Sequence, residues 1–431
     1  MMDKEQRERI ITLIHKEVVP AMGCTEPMAV ALCTAQAKEL LDIVPEKMTV
    51  RLSANILKNA MGVGIPGTGM IGLPIAIALG ALIGKTAYSL EVLKDLTPET
   101  LQQGKDYLNS HNINIVLKEN ITEKLYIEVE AEADGHRATA IIAGGHTHFV
   151  YLEKDGEVIK ELSTHATSGG EEESDILLSM PMVYEFATTA PIEEIAFIRE
   201  TMELNMKAAE EAIKGNYGHN LGKTIDRPLS QGIFGKTIFS HIIAKTASAC
   251  DARMGGAMIP VMSNSGSGNQ GICATNPVAV YAQENENTEE ELLRALTISH
   301  LTAIYIKQSL GKLSALCGCV VASIGSSCGI TYLMGGSYER ICWAVKNMIA
   351  NLTGMICDGA KPSCALKISS GVSTAILSAL LAMEGKCVSC AEGIIDNDVD
   401  KSVHNLTSIG AEAMQDTDRM VLDIMTGKKN K

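Results

Sequence analysis

No charged residue occurs between Lys58 and Lys85, a stretch long enough to cross a lipid bilayer. An apolar run of this length is buried either in a membrane or inside a folded protein. Pro66, Pro74 and the glycine-rich residues 62–67 break any single helix through its first half. The composition suits an interior of closely packed backbones, since hydrophobic residues make up 46% of the chain but aromatic residues only 4%. We therefore expect a loop followed by a buried helix here, and no membrane span.

The charge balance excludes one broad class of partner. The chain has 51 acidic and 37 basic side chains, which opposes binding to nucleic acid or to anionic lipid. Its first residues are strongly charged and lack the apolar core of a secretory signal. We therefore expect a cytoplasmic protein without a nucleic-acid or membrane partner. In that reducing compartment its 12 cysteines are expected to be thiols or metal ligands.

The pattern of residues 1–45 predicts two helices. Residues 5–19 have amphipathic spacing and precede a break. A second helix is expected to begin within residues 24–27, where Thr25 is a suitable N-cap. Cys24 would then lie beside a helix amino terminus.

Residues 46–165 are predicted to form an α+β domain. Apolar residues alternate with period two, as in half-buried strands, in three segments: residues 48–52, 113–117 and 125–129. Asp155 and Gly156 are typical of a hairpin turn. Helical stretches interrupt the strands at residues 73–84 and 98–109. His146 and His148 are expected on one face of a strand, where an exposed surface is a simpler explanation than a metal pair.

The C-terminal region, residues 176–431, is predicted to be mainly helical. A small, polar and acidic connection at residues 163–175 precedes it. Helical periodicity then dominates these segments: residues 192–214, 236–253, 289–312, 339–351, 366–383 and 411–425. The expected fold is an α+β N-terminal region followed by a mainly α-helical, glycine-rich C-terminal domain.

Cysteines in this C-terminal region are the first candidates for chemistry, because thiolates are natural ligands for iron–sulfur clusters and zinc. Cys357 and Cys364 flank a turn-forming sequence between two predicted helices, which places two thiols on a loop. Cys317 and Cys319 form a second, closely spaced pair. The alternative is that a cysteine is a small buried hydrophobic residue, as we expect for those inside apolar helical patterns: Cys33, Cys250 and Cys342.

Two further segments are candidates for binding an anion. Residues 263–271 are rich in Ser, Asn and Gly, and the backbone N–H groups of such a loop can converge on a carboxylate. A plain flexible loop is an equal alternative. Lys58 and Asn59 precede the apolar run, where the Lys58 ammonium either meets a carboxylate or flanks a buried element.

Four sequence segments stand out together: residues 23–27 (GCTEP), 58–67 (KN followed by GIPG), 313–319 (LSALCGC) and 354–364 (GMICDGAKPSC). They resemble the signatures of the L-cysteine desulfidase family of UPF0597 type, which is related to the alpha domain of iron–sulfur L-serine dehydratases. The likeness covers nearly the whole chain.

The resemblance implies a 4Fe–4S cluster held by three cysteines. By the dehydratase pattern the ligands are Cys319, Cys357 and Cys364, with Cys317 as the alternative first ligand. The gap between the last two cysteines is shorter than in the dehydratases, and a separate dehydratase beta domain is not apparent. These departures favour the desulfidase branch.

The implied activity is β-elimination of L-cysteine to hydrogen sulfide, ammonia and pyruvate. A homodimer is a further expectation. The alternatives are an L-serine dehydratase with the same chemistry and a metal or redox protein without turnover. Cys24 is implied as the base that removes the α-proton, or as a thiolate that caps the open iron. The substrate carboxylate would be anchored by Lys58, Asn59, Ser265, Gly266 and Asn269.

Overall fold

A computed structural model describes residues 2–121, 123–162, 176–311 and 314–427 of the chain. The predicted acidic connection at residues 163–175 lies outside them. Two compact units are present. The α/β unit comprises Met22–Ser174, Asp358–Lys361 and Leu422–Lys431, and the helical unit comprises Met1–Ala21, Asp175–Cys357 and Pro362–Val421. The division into residues 1–45, 46–165 and 176–431 stays a prediction.

The chain begins with helix α1 (Lys4–Glu17) and strand β1 (Pro20–Met22). Asp3 caps α1, since its carboxylate accepts the Gln6 N–H at 2.8 Å. Helix α2 (Thr25–Leu41) follows, and Cys24 is its N-cap residue. The expected break between the two helices and the placement of Cys24 at a helix amino terminus therefore both occur.

The α/β unit contains one mixed sheet of six strands: β2 (Lys47–Leu52), β3 (Asn112–Leu117), β4 (Tyr126–Ala133), β5 (His136–Ala143), β6 (Phe149–Lys154) and β7 (Glu157–Glu161). Their order is β3–β2–β4–β5–β6–β7, and only β2 and β3 are parallel neighbours. The helices of the unit are α2, α3 (Ala54–Ala60), α4 (Leu73–Leu82) and α5 (Pro98–Ser110), with a 3₁₀ turn at Thr86–Glu91.

The mostly buried helix α2 and the all-apolar helix α4 lie in the core of the α/β unit. Helix α2 packs on β4 and β5, and α4 packs on α2. The two helices approach so closely that a side chain at Gly80 would lie 2.6 Å from the carbonyl oxygen of Ala31. The charge-free run is therefore a turn-rich segment followed by the ten-residue buried helix α4.

The expected strand at His146 and His148 is wrong. Strand β5 ends at Ala143, and Gly144 has a positive φ of 75° that turns the chain. His146 lies in the turn, and the Nδ1 atom of His148 is 3.0 Å from the Ala143 carbonyl oxygen. The two imidazoles therefore do not share one face of a strand.

The helical unit also contains β8 (Pro260–Met262), which pairs with β1, a 3₁₀ turn at Ala196–Ile198 and a π-helical turn at Ile409–Ala413. Its helices are α6 (Met180–Thr189), α7 (Ile192–Ile195), α8 (Arg199–Lys214), α9 (Leu221–Ile225), α10 (Pro228–Phe234), α11 (Ile238–Met254), α12 (Gly268–Glu284), α13 (Glu289–Leu310), α14 (Gly318–Leu333), α15 (Tyr338–Leu352), α16 (Cys364–Met383) and α17 (Val399–Ser408). The last helix of the chain is α18 (Gln415–Thr426). The predicted fold class, α+β followed by mainly helical, is confirmed.

Helix α14 is the centre of the helical unit, with α12, α13, α15 and α16 packed around it. Its small residues let neighbouring backbones touch. A side chain at Gly325 would overlap the Ser299 carbonyl of α13, and one at Gly329 would lie 2.8 Å from the Ala295 carbonyl oxygen. Because α14 is buried on all sides, it has no polar stripe and no amphipathic period by which the sequence could reveal it.

Among the described residues, α16 is the one helix long and apolar enough to cross a membrane. Of its most apolar window, 56% is buried inside the protein, which is also typical of a core helix in a folded protein.

We expect Gly325→Ala to lower the free energy of unfolding by about 1–3 kcal/mol, because the new methyl group overlaps the Ser299 carbonyl in a closely packed interior. Urea unfolding followed by circular dichroism measures the change.

Gly232→Ala is the matched control. It lies in α10, where an added side chain meets nothing within 4 Å. We expect it to stabilise the protein by up to about 1 kcal/mol. An unchanged unfolding midpoint for Gly325→Ala would contradict the close contact between α13 and α14.

Candidate active site

A short pairing of two chain segments brings two of the predicted ligand positions side by side. Leu316 and Ile356 form an antiparallel bridge. The Cys317 N–H donates to the Met355 carbonyl at 3.0 Å, and the Cys357 N–H donates to the Ala315 carbonyl at 2.7 Å. The C-x-C segment and the start of the Cys357 loop are thus fixed against each other within the helical unit.

Three of the predicted ligand positions lie at the beginnings of two packed helices. Cys317 is the N-cap residue of α14, Cys319 is in its first turn, and Cys364 is the first residue of α16. Helix α16 packs along α14. Cys317, Cys319 and Cys364 are buried, whereas Cys357 is half-buried.

Contact between thiols and burial raise the pKa of the cysteines in this region. The contact with Cys273, followed by burial, raises the pKa of Cys319 well above its ordinary value. Contact with Cys319 and burial do the same to the pKa of Cys317. Burial, and then the nearby Cys364 thiol, raise the pKa of Cys250. Cys250 and Cys273 therefore belong to the same group of neighbouring thiols as Cys317, Cys319 and Cys364.

The donor set suits a thiolate-bound cluster. Across the described ranges, no three His, Cys, Asp or Glu side chains are already arranged as a metal site. The soft donors nevertheless come together, and a bound metal deprotonates thiols whose pKa is otherwise high. Within the described chain, the buried Gln270 Oε1 and Ser323 Oγ atoms have no hydrogen-bond partner. A side chain at Gly318 would meet the Gln270 amide at 3.0 Å. The Gln270 side chain therefore lies beside the start of α14.

A different arrangement surrounds Cys24 in the α/β unit. The Cys24 thiol donates a hydrogen bond to Oε2 of Glu26 at 2.9 Å. The Asn59 amide donates to the other oxygen, Oε1 of Glu26, at 3.0 Å. Cys24 is buried at the amino terminus of α2, and Glu26 and Asn59 are half-buried. The proton of the thiol therefore faces a carboxylate that a second helix holds in place.

Parts of three of the segments that carry the resemblance meet within the α/β unit. A side chain at Gly23, where φ is 64°, would lie 2.6 Å from Cγ of Pro66. Gly359, where φ is 88°, is pressed against the backbone carbonyl of Lys58, which leaves no room for a side chain. Lys58 is 2% exposed. Lys361 closes the turn, since its ammonium lies 2.6 Å from the carboxylate of Asp358.

The predicted anion-binding loop, residues 263–271, is an ordered turn that runs into α12. The Ser265 N–H donates to the Glu17 carbonyl at 2.8 Å, and the Ser263 N–H donates to the Val19 carbonyl at 2.8 Å. The Asn269 side-chain oxygen accepts from Arg253 at 3.0 Å. Ser265 and Asn269 are buried, and Gly266 is exposed. Much of the hydrogen-bonding capacity of this segment thus serves the protein itself, and the carboxylate-anchoring role of Ser265, Gly266 and Asn269 stays a prediction.

Behind this turn lies a fully buried histidine, His300 of α13. Its Nδ1 atom is 3.1 Å from the Asn264 side-chain nitrogen, and its Nε2 atom is 2.9 Å from the Thr275 hydroxyl. Nδ1 must accept from the amide, so the proton is assigned to Nε2. Burial lowers the pKa of His300 to about 3, which keeps the imidazole neutral and suited to hold Asn264.

Comparison with known proteins agrees with this grouping of motifs. The family model described as the serine dehydratase alpha chain matches residues 87–423. A UPF0597 protein of Bacteroides fragilis is 66% identical over 428 residues, covering 99% of this chain and 100% of the relative. The chain belongs to the UPF0597 family, which is related to the serine dehydratase alpha chain. More distant members are also covered nearly end to end, since a UPF0597 protein of Photobacterium profundum is 44% identical over 97% of this chain and 98% of its own length.

Three residues of this family member were missed by reasoning from the sequence. Glu26 lies in the GCTEP segment without a predicted role, no motif distinguishes Cys273, and His300 lies in an apolar helical pattern. Their significance depends on partners far away in the chain. Only the Glu26 contact had a local signal, a carboxylate two residues after a cysteine at a predicted helix start.

We expect His300 to make stability depend on pH. Its pKa is about 3 in the folded protein, against an ordinary value of 6.5. Between these values the unfolded chain binds the additional proton, so the free energy of unfolding decreases as the pH falls below 6.5, by up to about 1.4 kcal/mol per pH unit. Above that range the contribution of His300 is constant.

Urea unfolding of the wild type and of His300→Gln, from about pH 4.5 to pH 8, isolates this slope as the difference between the two proteins. His241→Gln is the control, because that imidazole is only half-buried and is 2.6 Å from the carboxylate of Glu284. Parallel stability curves for the wild type and His300→Gln would contradict a buried neutral imidazole.

Proposed function

We propose that the protein is an iron–sulfur-dependent L-cysteine desulfidase, which converts L-cysteine to hydrogen sulfide, ammonia and pyruvate. The observation that carries the proposal is the grouping of thiols at the starts of α14 and α16, with the Cys357 loop bridged to the C-x-C segment. Membership in a family related to serine dehydratases supports a lyase. The serine dehydratase alpha family is generally associated with iron–sulfur clusters, which supports the choice of cofactor.

The residues that would hold a 4Fe–4S cluster are Cys319, Cys357 and Cys364, with Cys317 as the rival of Cys319. When bound through three thiolates, such a cluster supplies an open iron as a Lewis acid for the substrate carboxylate and the β-leaving group. The bridge between Leu316 and Ile356 holds the Cys357 loop against the C-x-C segment, and Cys364 begins the helix that packs along α14.

The other steps use groups of this chain. The thiol proton of Cys24 first passes to the carboxylate of Glu26, 2.9 Å from the sulfur, and the resulting thiolate takes the proton from Cα. The electron pair of the broken Cα–H bond forms a double bond to Cβ as the Cβ–S bond breaks and hydrosulfide leaves. The aminoacrylate then hydrolyses in water to pyruvate and ammonia. Lys58 is proposed to anchor the substrate carboxylate together with Asn59, Ser265, Gly266 and Asn269.

L-serine dehydration is the second candidate, because the matching family model is described by that activity. The short spacing between Cys357 and Cys364 favours the desulfidase. We further propose that the enzyme works in the cytoplasm on a free amino acid and as a homodimer.

We expect the anaerobically reconstituted protein to have a kcat/KM for L-cysteine about tenfold or more above that for L-serine, because hydrosulfide is a weaker base than hydroxide and therefore a better leaving group. Coupled detection of pyruvate and sulfide measures both. A higher kcat/KM for serine would reverse the assignment.

We expect Cys357→Ser and Cys364→Ser each to lose most of the bound iron and sulfide, because one hard hydroxyl replaces a thiolate ligand. Iron and acid-labile sulfide are measured after oxygen-free reconstitution. Cys317→Ser and Cys319→Ser, measured in the same way, identify the first ligand as the one whose loss removes iron.

Cys328→Ser is the matched control. Cys328 is on α14 together with Cys319, is fully buried, and burial raises its pKa to about 12. We expect it to retain full iron content with a modest loss of stability. Full iron content in Cys357→Ser would overturn the ligand assignment, and a colourless protein with stoichiometric zinc would overturn the cluster.

A further inference from the structure

The side chain of Glu26 makes two hydrogen bonds that involve none of the proposed cluster ligands. Its two carboxylate oxygens have different partners: Oε2 accepts the thiol proton of Cys24 at 2.9 Å, and Oε1 accepts the Asn59 amide at 3.0 Å. The first contact is local, across the amino terminus of α2, and the second comes from α3. A carboxylate held from two sides has a fixed direction.

We propose that Glu26 is a positioning residue for Cys24 and that Asn59 is the residue that holds Glu26. The inference rests on the proposed function, in which Cys24 removes the substrate α-proton. Because Glu26 accepts a hydrogen bond from the Cys24 thiol, rotation of the thiol about the Cα–Cβ bond is restricted. The sulfur is therefore held in one orientation. The proposal also changes the role of the Asn59 side chain, which was expected to anchor the substrate carboxylate and here holds Glu26.

A simpler role for Glu26 must be distinguished. An acidic residue in the first turn of a helix stabilises that helix through its dipole, whatever the neighbouring residue is. That role requires the negative charge but no contact with sulfur. A substitution that keeps the shape of the Glu26 side chain but replaces the acceptor oxygen facing Cys24 with a donor group distinguishes the two roles.

Glu26→Gln makes this exchange. The glutamine carbonyl oxygen can still accept from Asn59, so its NH₂ group faces the Cys24 sulfur and offers no acceptor for the S–H bond. The S–H stretching band of Cys24, isolated as the infrared difference between the wild type and Cys24→Ser, is expected to shift to higher frequency. In the loaded enzyme we expect kcat for L-cysteine to fall about 10- to 100-fold with KM changed much less.

Asn59→Leu tests the second contact. It leaves the Glu26 charge in place but removes the amide that fixes it, so we expect a broadened S–H band and a smaller decrease in kcat than in Glu26→Gln. If Asn59 instead binds substrate, the variant raises KM and leaves the band unchanged, which would overturn its role as a holder of Glu26.

Glu39→Gln is the matched control. Glu39 is exposed near the opposite end of α2, where it accepts hydrogen bonds from Thr86. It removes the same charge from the same helix, and we expect an unchanged S–H band and unchanged kcat.

The outcomes separate this inference from the proposed function. An active wild type with an unmoved S–H band, or an unchanged kcat, in Glu26→Gln overturns the inference alone. A wild type that releases neither sulfide nor pyruvate from L-cysteine overturns the proposed function and the catalytic part of the inference with it. A band shift and a decrease in kcat that are both absent from Glu39→Gln support the inference.

Discussion

Direct contact between helix backbones is the constraint on which the rest of the helical unit depends. Helix α14 touches α13 where Gly325 meets the Ser299 carbonyl, and it touches α16 where a side chain at Gly371 would lie 2.5 Å from the Ser323 hydroxyl. At this separation there is no room for large side chains, which accounts for a core that is aliphatic and nearly free of aromatic residues. Two helix starts that both carry cysteines are thereby held close together.

The sequence predicts best where burial is one-sided. Strands β2, β3 and β4 occur where residues alternate with period two, because the apolar face of each packs on the core of the α/β unit. Helices α12 and α14 were missed for the opposite reason. They are buried on all sides and rich in small or polar residues, so their patterns resemble those of loops. The serine- and glycine-rich segment before α12 is likewise a turn fixed by contacts to Glu17 and Val19.

For the candidate site, prediction was limited by distance along the chain. The turn between Cys357 and Cys364 and the placement of Cys24 at a helix amino terminus follow from local chemistry and occur as expected, although the N-cap residue is Cys24 itself and not Thr25. The bridge that joins Leu316 to Ile356 and the contact of Asn59 with Glu26 join residues far apart in sequence. No local pattern specifies such pairs. These pairs form because the fold brings two loops or two helices together. Predicting them therefore requires the tertiary structure.

The uneven burial of the cysteines has a practical consequence for biophysical work. Of the 12 cysteines, all within the described part of the chain, Cys390 alone is exposed. Interior thiols such as Cys33, whose pKa is raised by burial, react slowly with maleimides, because the thiolate is the reactive form. A fluorophore or spin label is therefore expected to react first at Cys390, ahead of the half-buried Cys342, Cys357 and Cys387.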